Sequence, residues 1–510
     1  MTTTLRSPAR RLALVAAAAI ALPIAGCGSS SDSSSSGGAT DPASAIPISA
    51  PFYLEATVRP TGKDKTDLEA AASKILRTND PAAKLRELID KAGKDQGKSY
   101  EKDIDPWLGQ KAAVAITGFA AGKPNFAVVV NSTDDGKAAD LINSDSSYSD
   151  KRSFEGTDYR FDPKDATAGG VVKHFLVIGS EPAFKQVAHL LNKGGDSLAS
   201  NQDLRDARSA TGNRPGFMFV DLQGLLRTVA SSAASSLGPS QLSALNGIFQ
   251  RFRAFGVGIT ADAQAVRMTV ASVGGKNTGN GPATALPLDK VPGDAWLAFS
   301  QKDIGTSIQR VLDALGSSAG SITQLETATG LKVKEDLLSW MGDANLFVEG
   351  DSVPALGGAL VVQSKDPAKT RVAIDKLKRL LTQFNQRPGG APAGTSDGFS
   401  VPLGSGGQRL QIGLAGNRFV IAVGAKALRD AIHPSSTLSS SANFQSASGL
   451  LGNAAKPSFY LDFQTLTRFI ALASNGSASF AQAKPYLDAF TALVGGGTAP
   501  GKTEIALGLK

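Results

Sequence analysis

Val128–Ile142, VVVNSTDDGKAADLI, and Leu360–Ile374, LVVQSKDPAKTRVAI, align position by position: Val130 on Val362, Ser132 on Ser364, Asp134 on Asp366, Lys137 on Lys369. Each is an apolar β-branched run, then a Ser-x-Asp cap signal, then a helical period. Further pairs follow in the same order. DIDPWLGQKA lies over DLLSWMGDAN, with Trp107 on Trp340 and Gly109 on Gly342. HFLVIGSEPAF lies over RFVIAVGAKAL, and GFMFVDLQGLL over SFYLDFQTLTR with Asp221 on Asp462. The opening IPISAPFYLEATV matches LPLDKVPGDAWLAF, with Pro47 on Pro287. A repeat of about 240 residues is far longer than a solenoid unit, so each copy is a domain. The pattern predicts a first domain over 46–273, a Gly/Asn-rich linker over 274–284 and a second domain over 285–510.

Within each copy, strand-like runs such as FYLEATV, AAVAITGF, NFAVVVN, GFMFVD and FGVGIT alternate with helical periods. AAGKP joins two runs in hairpin fashion. The expected class is therefore α+β: two tandem copies of a domain with a mostly antiparallel or mixed sheet packed by helices. Predicted helices include 67–76, 81–91, 181–191, 241–252, 304–315 and 367–384; in the last, Leu377, Leu380, Leu381 and Phe384 recur as one buried stripe. KPYLDAFTALV reads as helix and EIALGLK as the final strand, so the second copy is expected to lack the counterpart of VRMTVAS.

The N-terminus places Arg6, Arg10 and Arg11 before an uncharged apolar run from Leu12 to Ile24, a secretory leader over 1–26 that is too short to span a membrane comfortably. It ends Ile24-Ala25-Gly26-Cys27, which resembles the lipobox of bacterial lipoproteins. That resemblance implies diacylglycerol on Cys27, cleavage before it, acylation (a palmitate-type modification), and anchoring to the outer face of the bacterial cell membrane. Cys27 is the single cysteine of 510 residues, so neither a disulfide within the chain nor a thiolate metal cluster can form. Residues 27–45, GSSSDSSSSGG and its surroundings, read as a disordered tether. The formal net charge of +8 falls to +5 once the three leader arginines are removed, because no acid precedes Cys27. Cations are interspersed with acids and no aromatics interleave with them, so no nucleic-acid partner is expected.

Three chemical motifs are present in outline. Gly496–Thr503 fits G-x-x-x-x-G-K-[ST], yet the order is helix, loop, strand, whereas a phosphate loop needs strand, loop, helix. No nucleotide partner is expected, and Gly495–Gly497 read as a helix stop. GTSDG at Gly394–Gly398 fits G-x-S-x-G but leads into a strand. His174, His189 and His433 form no close pair, so no metal site is expected. Asp134, Asp221, Asp366 and Asp462 read as helix N-caps, and Trp107 and Trp340 as core aromatics.

The lipobox, the Ser-rich tether, the residues Pro47, Tyr53, Glu55, Val58, Pro60 and Gly62, and the DPWLG segment at Asp105–Gly109 resemble a family of bacterial secreted lipoproteins catalogued as a domain of unknown function, the DUF3352-type family. The resemblance implies no activity and no catalytic or cofactor-binding residues. The expectation is a lipid-anchored cell-envelope protein with a non-catalytic binding or scaffolding role, its partners being the membrane and an envelope protein or apolar ligand. The alternatives are a carrier of a lipid or other apolar ligand and, behind it, an extracytoplasmic hydrolase.

Overall fold

A computed structural model describes residues 40–94, 97–120, 123–233, 252–274, 288–315, 320–404, 407–474 and 477–510. They fall into two compact units that divide after Lys276. The leader, Cys27 and the predicted helix over 241–252, save Phe252, lie outside the described residues, as does most of the linker.

The first unit contains ten strands: β1 Phe52–Thr57, β2 Leu108–Ala120, β3 Lys123–Ser132, β4 Asp150–Phe154, β5 Thr157–Asp162, β6 Thr167–Val172, β7 Phe175–Ser180, β8 Gly216–Asp221, β9 Ala254–Ala261 and β10 Ala265–Val273. Every pairing is antiparallel, in the order β4-β5-β6-β7-β3-β2-β1-β8-β9-β10. Among the described residues, six helices accompany them: α1 Gly62–Leu76, α2 Pro81–Gly93, α3 Asp135–Asn143, α4 Glu181–Lys193, α5 Gln202–Thr211 and α6 Leu222–Ala233.

The sheet is apolar on both sides, which the strict alternation of a strand turns into two cores. Ala113, Ala115, Ala127, Val129, Phe175 and Val177 pack with Phe184, Val187, Leu204 and Ala207 of α4 and α5. Their strand neighbours Ala112, Val128, Val130 and Leu176 pack instead with Leu85 of α2, Trp107, and Ala138 and Ile142 of α3. The approach of α5 to β9 is close enough to require glycine: a Cβ on Gly256 would lie 2.7 Å from that of Ala207.

The second unit has nine strands: β11 Ala295–Gln301, β12 Met341–Glu349, β13 Gly357–Ser364, β14 Asp397–Pro402, β15 Arg409–Ala415, β16 Arg418–Val423, β17 Lys456–Asp462, β18 Phe490–Ala499 and β19 Lys502–Leu509. The order is β14-β15-β16-β13-β12-β11-β17-β18-β19, again antiparallel throughout. Its helices are α7 Ile304–Leu315, α8 Gly320–Thr329, α9 Pro367–Gln383, α10 Ala425–Ile432, α11 Ala442–Ser448, α12 Phe463–Ala473 and α13 Ala478–Leu487. Strand for strand this is the order of the first unit with β4 omitted. Trp107 and Trp340 each follow a π-helical turn, are 3% and 1% exposed, and donate Nε1–H to the carbonyl four residues earlier, at 2.6 Å to Asp103 and 2.8 Å to Asp336.

Several expectations are corrected. The second unit keeps both terminal strands, β18 and β19; among the described residues the strand it lacks is the counterpart of β4. FTALVGGGTA is a strand, so Gly495–Gly497 lie within it and are no helix stop. A Cβ on Gly496 would meet Lys456 O at 2.0 Å, so Gly496 serves close strand approach. Pro287, the predicted match of Pro47, lies outside the described residues, and the structural counterpart is Pro292: isolated bridges join Pro47 to Ser197 and Pro292 to Thr437, and the preceding carbonyls of Ile46 and Val291 accept from Leu198 and Leu438. The ordered fold begins before residue 46, since Pro42–Ala45 forms a buried 3-10 turn capped by Asp41, which removes residues 41–45 from the tether. Phe384, expected in a buried stripe, is 66% exposed: it is the C-cap, one residue past the last of the helix.

Candidate functional site

The recurrent aspartates are caps. Asp134 accepts from Lys137 N, Asp221 from Gly224 N, Asp366 from Ala368 N and Lys369 N, and Asp462 from Thr465 N. Each satisfies backbone donors that a helix start leaves open. The Gly496–Thr503 pattern spans the end of β18, a tight turn and the start of β19. Strand on both sides gives no helix N-terminus to hold a phosphate. Ser396 of the GTSDG stretch enters β14 in an antiparallel sheet, and its hydroxyl donates to Leu414 O at 3.0 Å. His174 pairs with Asp135 and His189 with Glu155, each at 2.9 Å on the surface, while His433 ends α10. The structure brings none of these motif residues together.

It does bring together two charge groups, each built around one buried carboxylate, that span long stretches of sequence. In the first unit, Arg208 of α5 donates to Asp41 at 2.6 and 3.1 Å and to Glu55 of β1 at 2.7 Å. Tyr53 Oη donates to the same Glu55 oxygen at 2.7 Å. Burial would raise the Asp41 carboxyl, but the hydrogen bond and charge of Arg208 override it and hold it below the usual range. Burial, together with the carboxylates of Glu55 and Asp41, pushes the Tyr53 phenol far above its ordinary value. This network ties the start of the fold to the sheet.

In the second unit, Lys426 of α10 reaches Asp294 and Asp430 at 2.5 Å each and Glu349, the last residue of β12, at 3.1 Å. The three carboxylates each offer an oxygen within 4.8 Å of the others. Glu349 is 1% exposed, and burial, joined by the charges of Asp294 and Asp430, pushes its carboxyl up to about 7 against the opposing pull of Lys426. Lys426 is itself held above its usual range by the three carboxylates despite its partial burial. The ammonium sits where a cation would have to bind, so the arrangement is an ion-pair cluster with one carboxylate poised near neutrality.

The remaining feature is apolar. Phe299 and Leu346 face each other across β11 and β12, and each is 39% exposed. Leu297 and Val348 pair beside them, and β17 adds Phe459 and Leu461. A bulge at Ala295/Leu297 brings Trp296 against Phe469 of α12, with ring centroids 5.4 Å apart. Helix α7 packs on β12, and α12 on β17 and β18. Both still leave Val311 and Leu472 more than half exposed. Two-sided burial is thus incomplete over the middle of this sheet.

Residues 12–498 match the family described as "Protein of unknown function (DUF3352)". The chain belongs to that family. No curated protein matches it. Among solved structures, crystal forms IV and III of TP0453 are similar at 15% and 16% identity, covering 45% and 46% of this chain and 80% and 81% of that one, each with a TM-score of 0.26. Crystal form I covers 78% of this chain and 97% of that one at 14% identity and a TM-score of 0.21. These scores are too low to carry fold or function across. For this DUF3352 member the two charge groups and the half-open apolar face are therefore read from its own residues.

Proposed function

We propose that this DUF3352 chain is exported, anchored to the outer face of the cell membrane by lipid on Cys27, and serves there as a non-catalytic binding or scaffolding protein whose halves arose by duplication. The half-open apolar face around Phe299 and Leu346 carries the reading. Soluble domains seldom leave paired large apolar side chains on a sheet face unless something covers them. The Ser396 hydroxyl and the capping aspartates already have structural partners, which favours binding over hydrolysis. Duplication is supported by the shared strand order and by the two equivalent tryptophan turns.

The same face favours a second reading, a carrier of a lipid or other apolar ligand, because convergent Phe, Leu and Trp side chains suit acyl chains. Native mass spectrometry of protein extracted from its own membrane tests both. The expected result is an acylated Cys27; an unmodified thiol overturns the anchor. A co-purifying lipid that Leu346→Asp abolishes selects the carrier, and a co-purifying protein lost in the same variant selects the scaffold.

A further inference from the structure

The helices of the second unit differ in how much they bury. Helix α10 has two large apolar residues and buries both, Leu428 and Ile432, together with Ala427 and Ala431. Helices α7 and α12 have five each, yet among their described residues α7 buries only Gly305 and α12 only Thr467. In α7, Ile304, Ile308, Val311 and Leu312 recur at helical spacing as one stripe. Ile304 packs against the core around Trp340, as does Leu360, the cross-strand partner of Leu346. The stripe therefore begins on the sheet face that carries Leu346 and Phe299. Further along, Ile308 is 36% and Val311 52% exposed, and in α12 Ile470 and Leu472 are 40% and 55% exposed. Values of this size describe a loose apolar layer, neither sealed nor bare. The first unit has Leu54 and Val114 at the position of the Phe299–Leu346 pair, and there Val114 packs against the second core.

Trp296 adds a polar signal to this layer. Trp107 and Trp340 each donate Nε1–H to a main-chain carbonyl, but Trp296 Nε1 is buried and has no acceptor. A buried donor left unpaired calls for an explanation. A water needs two to four polar neighbours, and the side chains beside the indole, Ala295, Leu297 and Phe469, supply none. The bulge sets Trp296 one residue before Leu297, which pairs with Val348 and Leu461 of the same apolar region.

We propose that the space between this sheet face, α7 and α12 takes one acyl chain, and that Trp296 Nε1–H donates to the carbonyl oxygen of the ester or acid that ends it. The proposal rests on the carrier reading and adds the chemical class of its ligand. A plain hydrocarbon would leave the indole unpaired. A folded partner seated on the outside would meet Val311 and Leu472 without reaching a donor that is itself buried, whereas a slender chain can pass between a loose helix and the sheet.

The test titrates the full chain with a lysophosphatidylcholine whose single chain is ester-linked and with its ether-linked analogue, which lacks only the carbonyl, both below their critical micelle concentrations. Any acyl group on Cys27 competes with both alike, so the ratio of affinities is independent of the anchor. We expect the ester to bind about fivefold tighter, as one neutral hydrogen bond allows. Trp296→Phe, which keeps a ring against Phe469, should bring the ratio to about one by weakening the ester alone. Leu346→Asp should weaken both on the order of 100-fold, because it sets a charge against the chain. A dibrominated acyl chain should quench tryptophan fluorescence more in wild type than in Trp296→Phe. Equal affinities for ester and ether in wild type overturn the Trp296 contact and leave the carrier reading standing. A preference that survives in Trp296→Phe, or equal quenching in the two chains, overturns the proposal. Wild type that binds neither probe, or Leu346→Asp that binds both as wild type does, overturns the carrier reading as well.

Discussion

Glu349→Gln should make the protein more stable above neutral pH. In the folded chain Glu349 sits 1% exposed at the end of β12, with Asp294 and Asp430 sharing its one counter-charge, Lys426. Burial and the two neighbouring carboxylates lift its pKa from an ordinary 4.5 to about 7. A raised carboxyl means that the native state holds this proton more tightly than the unfolded chain does. Stability contributed by the protonated group is complete below about pH 4.5, declines through the interval, and is lost above about pH 7. At 1.36 kcal/mol per pH unit the span amounts to about 3 kcal/mol. Glutamine has the shape of the neutral acid, and its carbonyl can still accept from Lys426, so it avoids that loss.

The assay is chemical denaturation of wild type and variant at matched ionic strength from pH 5 to pH 8.5. The two should be close in stability at the acid end and separate by about 3 kcal/mol in favour of the variant at the alkaline end. Asp294→Asn and Asp430→Asn should each narrow the gap, since each removes a like charge facing Glu349. A difference between wild type and Glu349→Gln that is independent of pH, or that favours wild type at pH 8.5, would refute the reasoning.

Arg208→Leu should cost about 3–5 kcal/mol, because it strands the buried Glu55 carboxylate without a counter-charge; urea unfolding checks it, and adding Glu55→Gln should recover part of the loss. Here the pH dependence has the opposite sign, because the depressed Asp41 contributes stability that is present above its unfolded value and fades as acid protonates it. Trp107→Ala and Trp340→Ala should each cost about 3–5 kcal/mol as large core aromatics are removed, read by thermal unfolding; a loss under about 1 kcal/mol at either site would remove it from the core. Lys502→Ala should leave the melting temperature in ATP and magnesium equal to that of wild type without nucleotide, and an ATP-dependent rise that the variant abolishes would reinstate a phosphate loop.

The strands themselves were legible because short β-branched and aromatic runs stand out between helical periods. Ala127 and Val129 face one core while Val128 and Val130 face the other, and a sheet buried on both sides reads as VVV with few polar breaks. The misread strand, β18, has glycine at three successive positions, which erases the side-chain pattern, and the preceding FTALV has spacing that suits helix equally well. The charge groups were invisible to motif searching, since Asp41 and Arg208 are 167 positions apart and Glu349 and Lys426 are 77. One signal was available. Glu55 shares strand parity with Tyr53, and Glu349 with Phe347, so each carboxylate faces inward from an apolar strand and must find a buried partner.

The positions at which the two units part company say more about use than those they share. Tyr53 and Glu55 correspond, through their cross-strand partners Ala115 and Ala113, to Ala298 and Ser300 opposite Phe347 and Asn345. The second sheet therefore has no charge at the position of Glu55 and carries its own inward carboxylate, Glu349, on the neighbouring strand, while keeping the same strand order. A buried ion pair is weak support for a fold, because desolvation offsets most of the attraction. The Arg208 and Lys426 groups are thus additions that each unit carries separately. The same holds at the outer edge. In the first unit β4 is pinned by Arg152, which pairs with Glu181 at 2.9 Å and stacks over Phe161 at 3.5 Å, so the sheet gains a strand. In the second unit the corresponding chain lengthens α9 and exposes Lys378, Arg379, Arg387 and Phe384. The first unit adds a hydrogen-bonded strand at this edge, and the second leaves cations and Phe384 exposed there. A duplication that kept the scaffold and changed this segment would leave one half to stabilise the molecule and free the other for contact.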